Sequence, residues 1–216
     1  MQSTSHQEDP QRWAETQFAT VKVSEVRRAR RVRKIAVAMA SNPGQSIPQL
    51  CSTPYEVKAT YSFFRHAEAR PDNLQAGHRE VVKEELQQPG VYLLVEDTTE
   101  MVWSGKQPIA GLGPVGNGLE GQQGFQLHTV LAVRWPQAPA LGEESRRPAV
   151  EVIGVCEQQY HVRGPQPVGA RRTSLLNRHK RERESQVWER AGERIGRAPV
   201  SAEVRWVRVC DRGADI

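Results

Sequence analysis

Five consecutive apolar residues, Val91 to Val95, run without a break into Glu96-Asp97-Thr98-Thr99. Two are β-branched and one is aromatic, the composition of a strand buried on both faces. A buried strand meets carboxylates at a cost, because an unpaired charge in apolar surroundings is unfavourable. The simplest account is a polar strand end turning into a loop. A second run, Val204 to Cys210, ends in the same way, in Asp211-Arg212-Gly213-Ala214-Asp215. Two strands that each deliver an aspartate suggest one site assembled from distant parts of the chain.

The limits on that site come from length and composition. At 216 residues the chain can hold one good-sized domain, or a small one and a medium one. With 38% hydrophobic and 25% charged residues it reads as a soluble folded protein. No apolar run approaches the roughly 18 residues of a membrane span, and the N-terminus has no signal-peptide core, so no membrane partner is expected. Three widely spaced cysteines, Cys51, Cys156 and Cys210, make no disulfide framework and fit a reducing cytoplasm. They lack the paired spacing of a zinc site, and Cys156 near His161 reads as strand packing.

The net charge of +5 is concentrated in one place. Between Lys22 and Lys34 stand seven basic residues (Lys22, Arg27, Arg28, Arg30, Arg31, Arg33 and Lys34) and one acid, Glu25. That segment carries +6, so the rest of the chain sums to −1. Charge runs usually end as solvated helix faces. Here the arginine density and the scarcity of partner acids favour a phosphate-backbone footprint.

In chain order, the first third has helical grammar. Asp9 to Phe18 predicts a short helix anchored by Trp13 and Phe18. Ser24 to Ala40 predicts a second, with Ser24 as N-cap and a stop at Asn42-Pro43-Gly44. Ala29, Val32, Ala36 and Met39 make one apolar stripe along it, and Arg27, Arg31 and Lys34 make a basic one. Thr53-Pro54-Tyr55-Glu56 has the form of a capping box with proline at the first helical position. That helix carries Tyr55, Ala59, Phe63 and Phe64 before Arg65-His66. After Pro71-Asp72 one more helix is expected up to Pro89-Gly90. Residues 1–88 thus read as a small helical domain, and 89–216 as a second, strand-rich one.

Beyond Gly90 the period changes. Gly111 to Gly116 formally matches G-x-G-x-x-G, but the residues after it cannot start the helix that a pyrophosphate needs. Phe125 to Trp135 alternates cleanly, with Phe125, Leu127, Thr129, Leu131, Val133 and Trp135 on one face. His128 on the other face reads as a satisfied polar residue of the sheet. Ala149 to Tyr160 is a third strand. Residues 163–184 are a basic insertion (Arg171, Arg172, Arg178, Lys180, Arg181, Arg183), equally consistent with a DNA contact and a solvated loop. Ser185 to Gly196 is a helix and Val204 to Cys210 the last strand.

The order is strand, strand, strand, helix, strand. A meander followed by a helical crossover brings the fourth strand back parallel to the first, which sets Asp97 beside Asp211. Paired carboxylates repel unless a cation lies between them, and hard oxygen ligands suit magnesium or manganese. Such a pair supports two-metal phosphodiester cleavage.

With these residues the chain resembles the N-terminal half of bacterial insertion-sequence transposases of the DDE type, in the branch whose third acid lies in a Tyr-Arg-Glu-Lys signature. The resemblance runs from about Gln11 to the last residue. It is carried by Gln11-Arg12-Trp13-Ala14, the basic helix, Ser46-Ile47-Pro48, Tyr61-Ser62-Phe63-Phe64-Arg65, Glu96-Asp97-Thr98-Thr99, Gly124 to Leu131, and Cys210-Asp211-Arg212 with Ala214-Asp215-Ile216. It implies a mixed α/β chain: a helical domain that binds the terminal inverted repeats, then an RNase H-like catalytic domain, here with an incomplete sheet. It implies Asp97 and Asp211 as catalytic, metal-binding acids for Mg2+ or Mn2+, and cut-and-paste transposition in a paired, dimeric complex. The DNA-binding residues expected are Arg27, Arg28, Arg30, Arg31, Arg33, Lys34 and Arg65, in a cytoplasmic, nucleoid-associated protein.

Gly213 stands where the family usually has Glu. No sequence follows Ile216, so the third carboxylate is absent and a truncated or partial gene product is expected, with impaired catalysis. Glu96 and Asp215 offer themselves as substitutes, but neither matches the third position. Two further readings stand beside this one: a non-catalytic competitor that blocks a full-length transposase, and a relic whose sheet never folds stably.

Overall fold

The computed structural model describes residues 9–105, 107–115, 122–136, 150–164 and 186–210. The chain divides into two compact units, Met1–Glu84 and Glu85–Ile216. The first is helical and the second is built on one mixed sheet.

In the helical unit, α1 (Pro10–Gln17) begins at Asp9, whose carboxylate accepts a hydrogen bond from the Gln11 amide at 3.2 Å. The basic segment forms α2 (Val26–Ser41). Its N-cap is Glu25 without a side-chain bond; Ser24, the expected cap, accepts from the Arg28 guanidinium at 3.0 Å instead. Val32 and Ala36 of the expected apolar stripe are buried and Ala29 is half-buried. Met39 is 43% exposed, because the core of this unit is the cluster of Val21, Val32 and Phe63 near the other end of the helix. A short α3 (Ile47–Leu50) is held by a Ser46–Gln49 capping box. Then α4 (Pro54–Phe64) starts from Thr53, whose hydroxyl accepts from the Glu56 amide at 3.2 Å. The stretch after Pro71 is two helices, α5 (Pro71–Leu74) and α6 (Ala76–Glu85), where one was expected.

In the second unit, β1 (Gly90–Ser104) pairs antiparallel with β3 (Gln122–Trp135) from Val91↔Trp135 to Ser104↔Gln122. The two-residue β2 (Gly113–Pro114) pairs with one end of β3, and β4 (Glu151–His161) pairs antiparallel with the rest of the same edge. A helix, α7 (Gln186–Ile195), precedes β5 (Val204–Cys210), which lies parallel to β1 from Gly90↔Val204 to Glu96↔Cys210. The expected order of three antiparallel strands, a helix and a fourth strand parallel to the first is the observed one. Gly124 is obligatory: a Cβ there would lie 1.8 Å from the Met101 carbonyl oxygen across the ladder.

The expectation that β1 is buried on both faces needs correction. Tyr92, Leu94 and Glu96 are buried, while Val91, Leu93 and Val95, on the other side of the pleat, are half-buried and Asp97 is exposed. Strand residues alternate faces, and α7 contributes Val187, Trp188 and Ala191 to the buried side. The entry to the sheet is tied down by side chains. The Tyr92 hydroxyl donates to the Glu85 carbonyl at 2.8 Å, and the Trp206 indole N–H donates to the Leu86 carbonyl at 3.0 Å. No helix among the described residues is long and apolar enough to cross a membrane.

Candidate functional site

The basic residues of α2 do not share one fate. Arg27 is 89% exposed along its side chain. Arg27 and Arg31 border a groove between α2 and α4 whose opposite wall is Tyr55, Lys58, Ser62 and His66. Arg30 and Arg33 open on a second groove, shared with Gln11 and Ser52. Arg65, at the C-terminal end of α4, is exposed. Arg28 turns inward, bonded to Glu68 at 2.9 Å and paired with Glu25 at 3.1 Å. Lys34 is ion-paired with Glu56. Hydrogen bonds from Lys34 and from the Ser52 amide hold the Glu56 carboxyl below the ordinary carboxylate value.

The groove adds residues beyond the basic ones expected from the sequence. Tyr55 is 76% exposed, and Phe64 is also exposed. The available signal was the polar stripe of Tyr55, Lys58, Ser62 and Arg65, at i, i+3, i+7 and i+10 along α4. A cationic groove with an exposed aromatic ring offers charge to phosphates and a stacking surface to a sugar or base.

In the sheet, the two adjacent acids of β1 point opposite ways. Asp97 sits opposite Thr129 and faces solvent, and its carboxylate has no hydrogen bond or ion pair among the described residues. Glu96 is fully buried on the other face and closed in by partners. Arg208 of β5 grips it with a forked pair, Nε to Oε1 at 2.5 Å and Nη2 to Oε2 at 2.8 Å. The same Nη2 donates to the Trp188 carbonyl of α7 at 3.1 Å. His128 places Nε2 at 3.5 Å from Glu96 Oε2 and Nδ1 at 2.9 Å from the Thr98 hydroxyl, with Trp188 edge-on at 4.4 Å between ring centroids. Burial would raise the Glu96 carboxyl, but the His128 and Arg208 contacts outweigh it and hold the group below its ordinary value. Glu96 is therefore saturated and unavailable as a metal ligand, whereas His128 is only half the satisfied sheet residue expected: Nδ1 is bonded to Thr98, but the buried Nε2 has no hydrogen bond among the described residues and only the longer approach to Glu96.

Asp97 suits a hard divalent cation as one donor: a free carboxylate, open to water, at the middle of an ordered strand that runs on to Ser104 rather than at the strand end expected. Among the described residues no group of three or more His, Cys, Asp or Glu side chains is arranged around a metal position. Asp211 and Asp215 lie outside the described residues, as do the basic residues Arg171, Arg172, Arg178, Lys180, Arg181 and Arg183. The described pairing of β5 with β1 ends at Glu96↔Cys210, one residue short of each expected acid.

Residues 10–69 match the model of the transposase DNA-binding family. The matched segment contains α1 to α4 and both basic grooves. The match supports a DNA-binding role of the transposase family for the helical unit.

Proposed function

We propose that the chain is a DDE-type transposase protein that binds the terminal inverted repeats of its element through residues 1–88. Its sheet belongs to an RNase H-like domain built from residues 89–216. The observation that carries the reading is the α2–α4 groove, with Arg27, Arg31, Lys58 and Tyr55 on its walls, inside the matched segment. The mixed strand order, with a fourth strand parallel to the first, supports the RNase H-like assignment. Asp97 and Asp211 are the acids of a Mg2+ or Mn2+ site. Asp97 is suited to that work by its exposure and lack of partners, and Glu96 is excluded from it. A bound ion would activate a water or 3′-hydroxyl and stabilise the leaving oxygen. A full-length transposase is the protein partner this reading expects.

The test is fluorescence anisotropy with duplexes carrying the inverted repeats that flank the gene, against scrambled duplexes, over a range of salt. Preference for the repeats with a steep salt dependence is expected. Equal, salt-insensitive affinity for both would remove the end-binding role.

A further inference from the structure

The buried cluster behind β1 has a use that the proposed chemistry does not assign. Glu96 immediately precedes Asp97, and Arg208 lies two residues from the end of the β1–β5 pairing. One guanidinium therefore joins three elements beside the acid: β1 through Glu96, α7 through the Trp188 carbonyl, and β5 through its own backbone. His128 adds β3, by its contacts to Glu96 and Thr98, the residues on either side of Asp97. α7 makes room for the fork with Gly192, where a Cβ would come within 2.7 Å of Arg208 Nη1. The Glu96 side chain has no exposed area, whereas that of Arg208 is 46% exposed, so the carboxylate depends on its partners far more than they depend on it.

We infer that Glu96, Arg208 and His128 are positioning residues: a clamp on the reverse face of the sheet that fixes β1 against β5 and α7, and so holds the backbone that presents Asp97. The clamp touches neither metal nor DNA. Its consequence for metal binding rests on the reading of Asp97 as a metal acid. β1 is paired with β3 as far as Ser104, but its parallel pairing with β5 ends at Glu96↔Cys210. A forked ion pair anchored to a helix carbonyl holds β5 and α7 against β1 at that end, because its geometry is met in one register only.

The test uses the full 216-residue chain and Mn2+ alone as the probe, with bound ion counted by the loss of the free-Mn2+ EPR signal. Asp97→Ala defines the part of the binding that Asp97 supplies. Glu96→Gln and Arg208→Lys keep size or charge but lose the fork. Each is expected to weaken the Asp97-dependent affinity by about 10-fold or more, the usual range for residues that orient ligands. Val207→Ala, on the opposite face of β5, is expected to leave that affinity within about twofold, on the same scale, even where it lowers the melting temperature as much. Hydrogen exchange supplies a readout that needs no metal: the amides of Val95 to Thr98 and of Val207 to Val209 should exchange faster in the clamp variants. Asp97-dependent affinity unchanged in both clamp variants overturns the inference. So does unchanged exchange at those amides. Absence of any Asp97-dependent binding in the unaltered chain removes the metal reading instead, and faster exchange confined to β1 and β5 would still uphold the clamp.

Discussion

The two units treat arginine in opposite ways. Along α2 the charged groups of Arg27 and Lys34 lie at the surface, and the ion pairs they make are solvent-washed, with Glu25 and Glu56 respectively. In the sheet a single guanidinium is held at both ends of its fork and again by a helix carbonyl. Exposed pairs of the first kind add little to stability and are screened by salt, which leaves the cations available to a phosphate backbone. The second kind fixes geometry and is costly to break. What separates a binding charge from a structural one is the burial of its partner, not the residue type.

The sharpest way to break that comparison is to strand the buried carboxylate. Arg208→Met should destabilise the second unit by about 3–5 kcal/mol in denaturant unfolding, because Glu96 would be left buried with His128 alone beside it. Glu96→Gln should cost less, about 1–2 kcal/mol, since the half-exposed Arg208 can turn to water. Reversal of that order would show that burial is not what decides. Gly192→Ala should cost about 1–3 kcal/mol by forcing the guanidinium out of its passage. A cost near zero would mean that the fork has room to spare.

Acid titration separates the same effects by sign. The Glu96 carboxyl is held below its ordinary value of 4.5, so its contribution is complete above that pH and fades as pH falls through the lower folded value. Tryptophan fluorescence of the sheet should therefore show an acid transition that Glu96→Gln flattens. Smallest in stability terms is the change to the basic face. Arg27, Arg31 and Lys34 all replaced by Ala should leave unfolding nearly unaltered, yet flatten the salt dependence of DNA binding by roughly 0.9 log unit per lost phosphate contact. An unchanged slope would remove α2 from the interface.

Much of this frame could be read from the residues. The order of the sheet followed from alternation at Phe125 to Trp135, from the apolar run at Val91, and from a helix-period stretch before Val204. Those are local patterns, and local patterns survive folding. What the sequence could not convey depended on pairing. Glu96 and Asp97 are adjacent carboxylates, and nothing in their order says which one the core will take. The answer needs Arg208, 112 residues away, together with α7 lying over the same face. The place of Tyr55 was hidden for a related reason: its ring is apolar enough for a core, but the helical core closes around Phe63 and leaves it outside.

The pleat of β1 has a consequence for how such a protein can change over generations. In a loop or on a helix, neighbouring carboxylates would share one electrostatic neighbourhood, and altering either would disturb both. Here the thickness of a sheet stands between them. The outward acid can be exchanged, lost or regained with little effect on the architecture, while the inward one is constrained by the fold whatever chemistry is practised outside. Inheritance can thus retain the scaffold and revise the reaction, because two successive codons answer to separate demands.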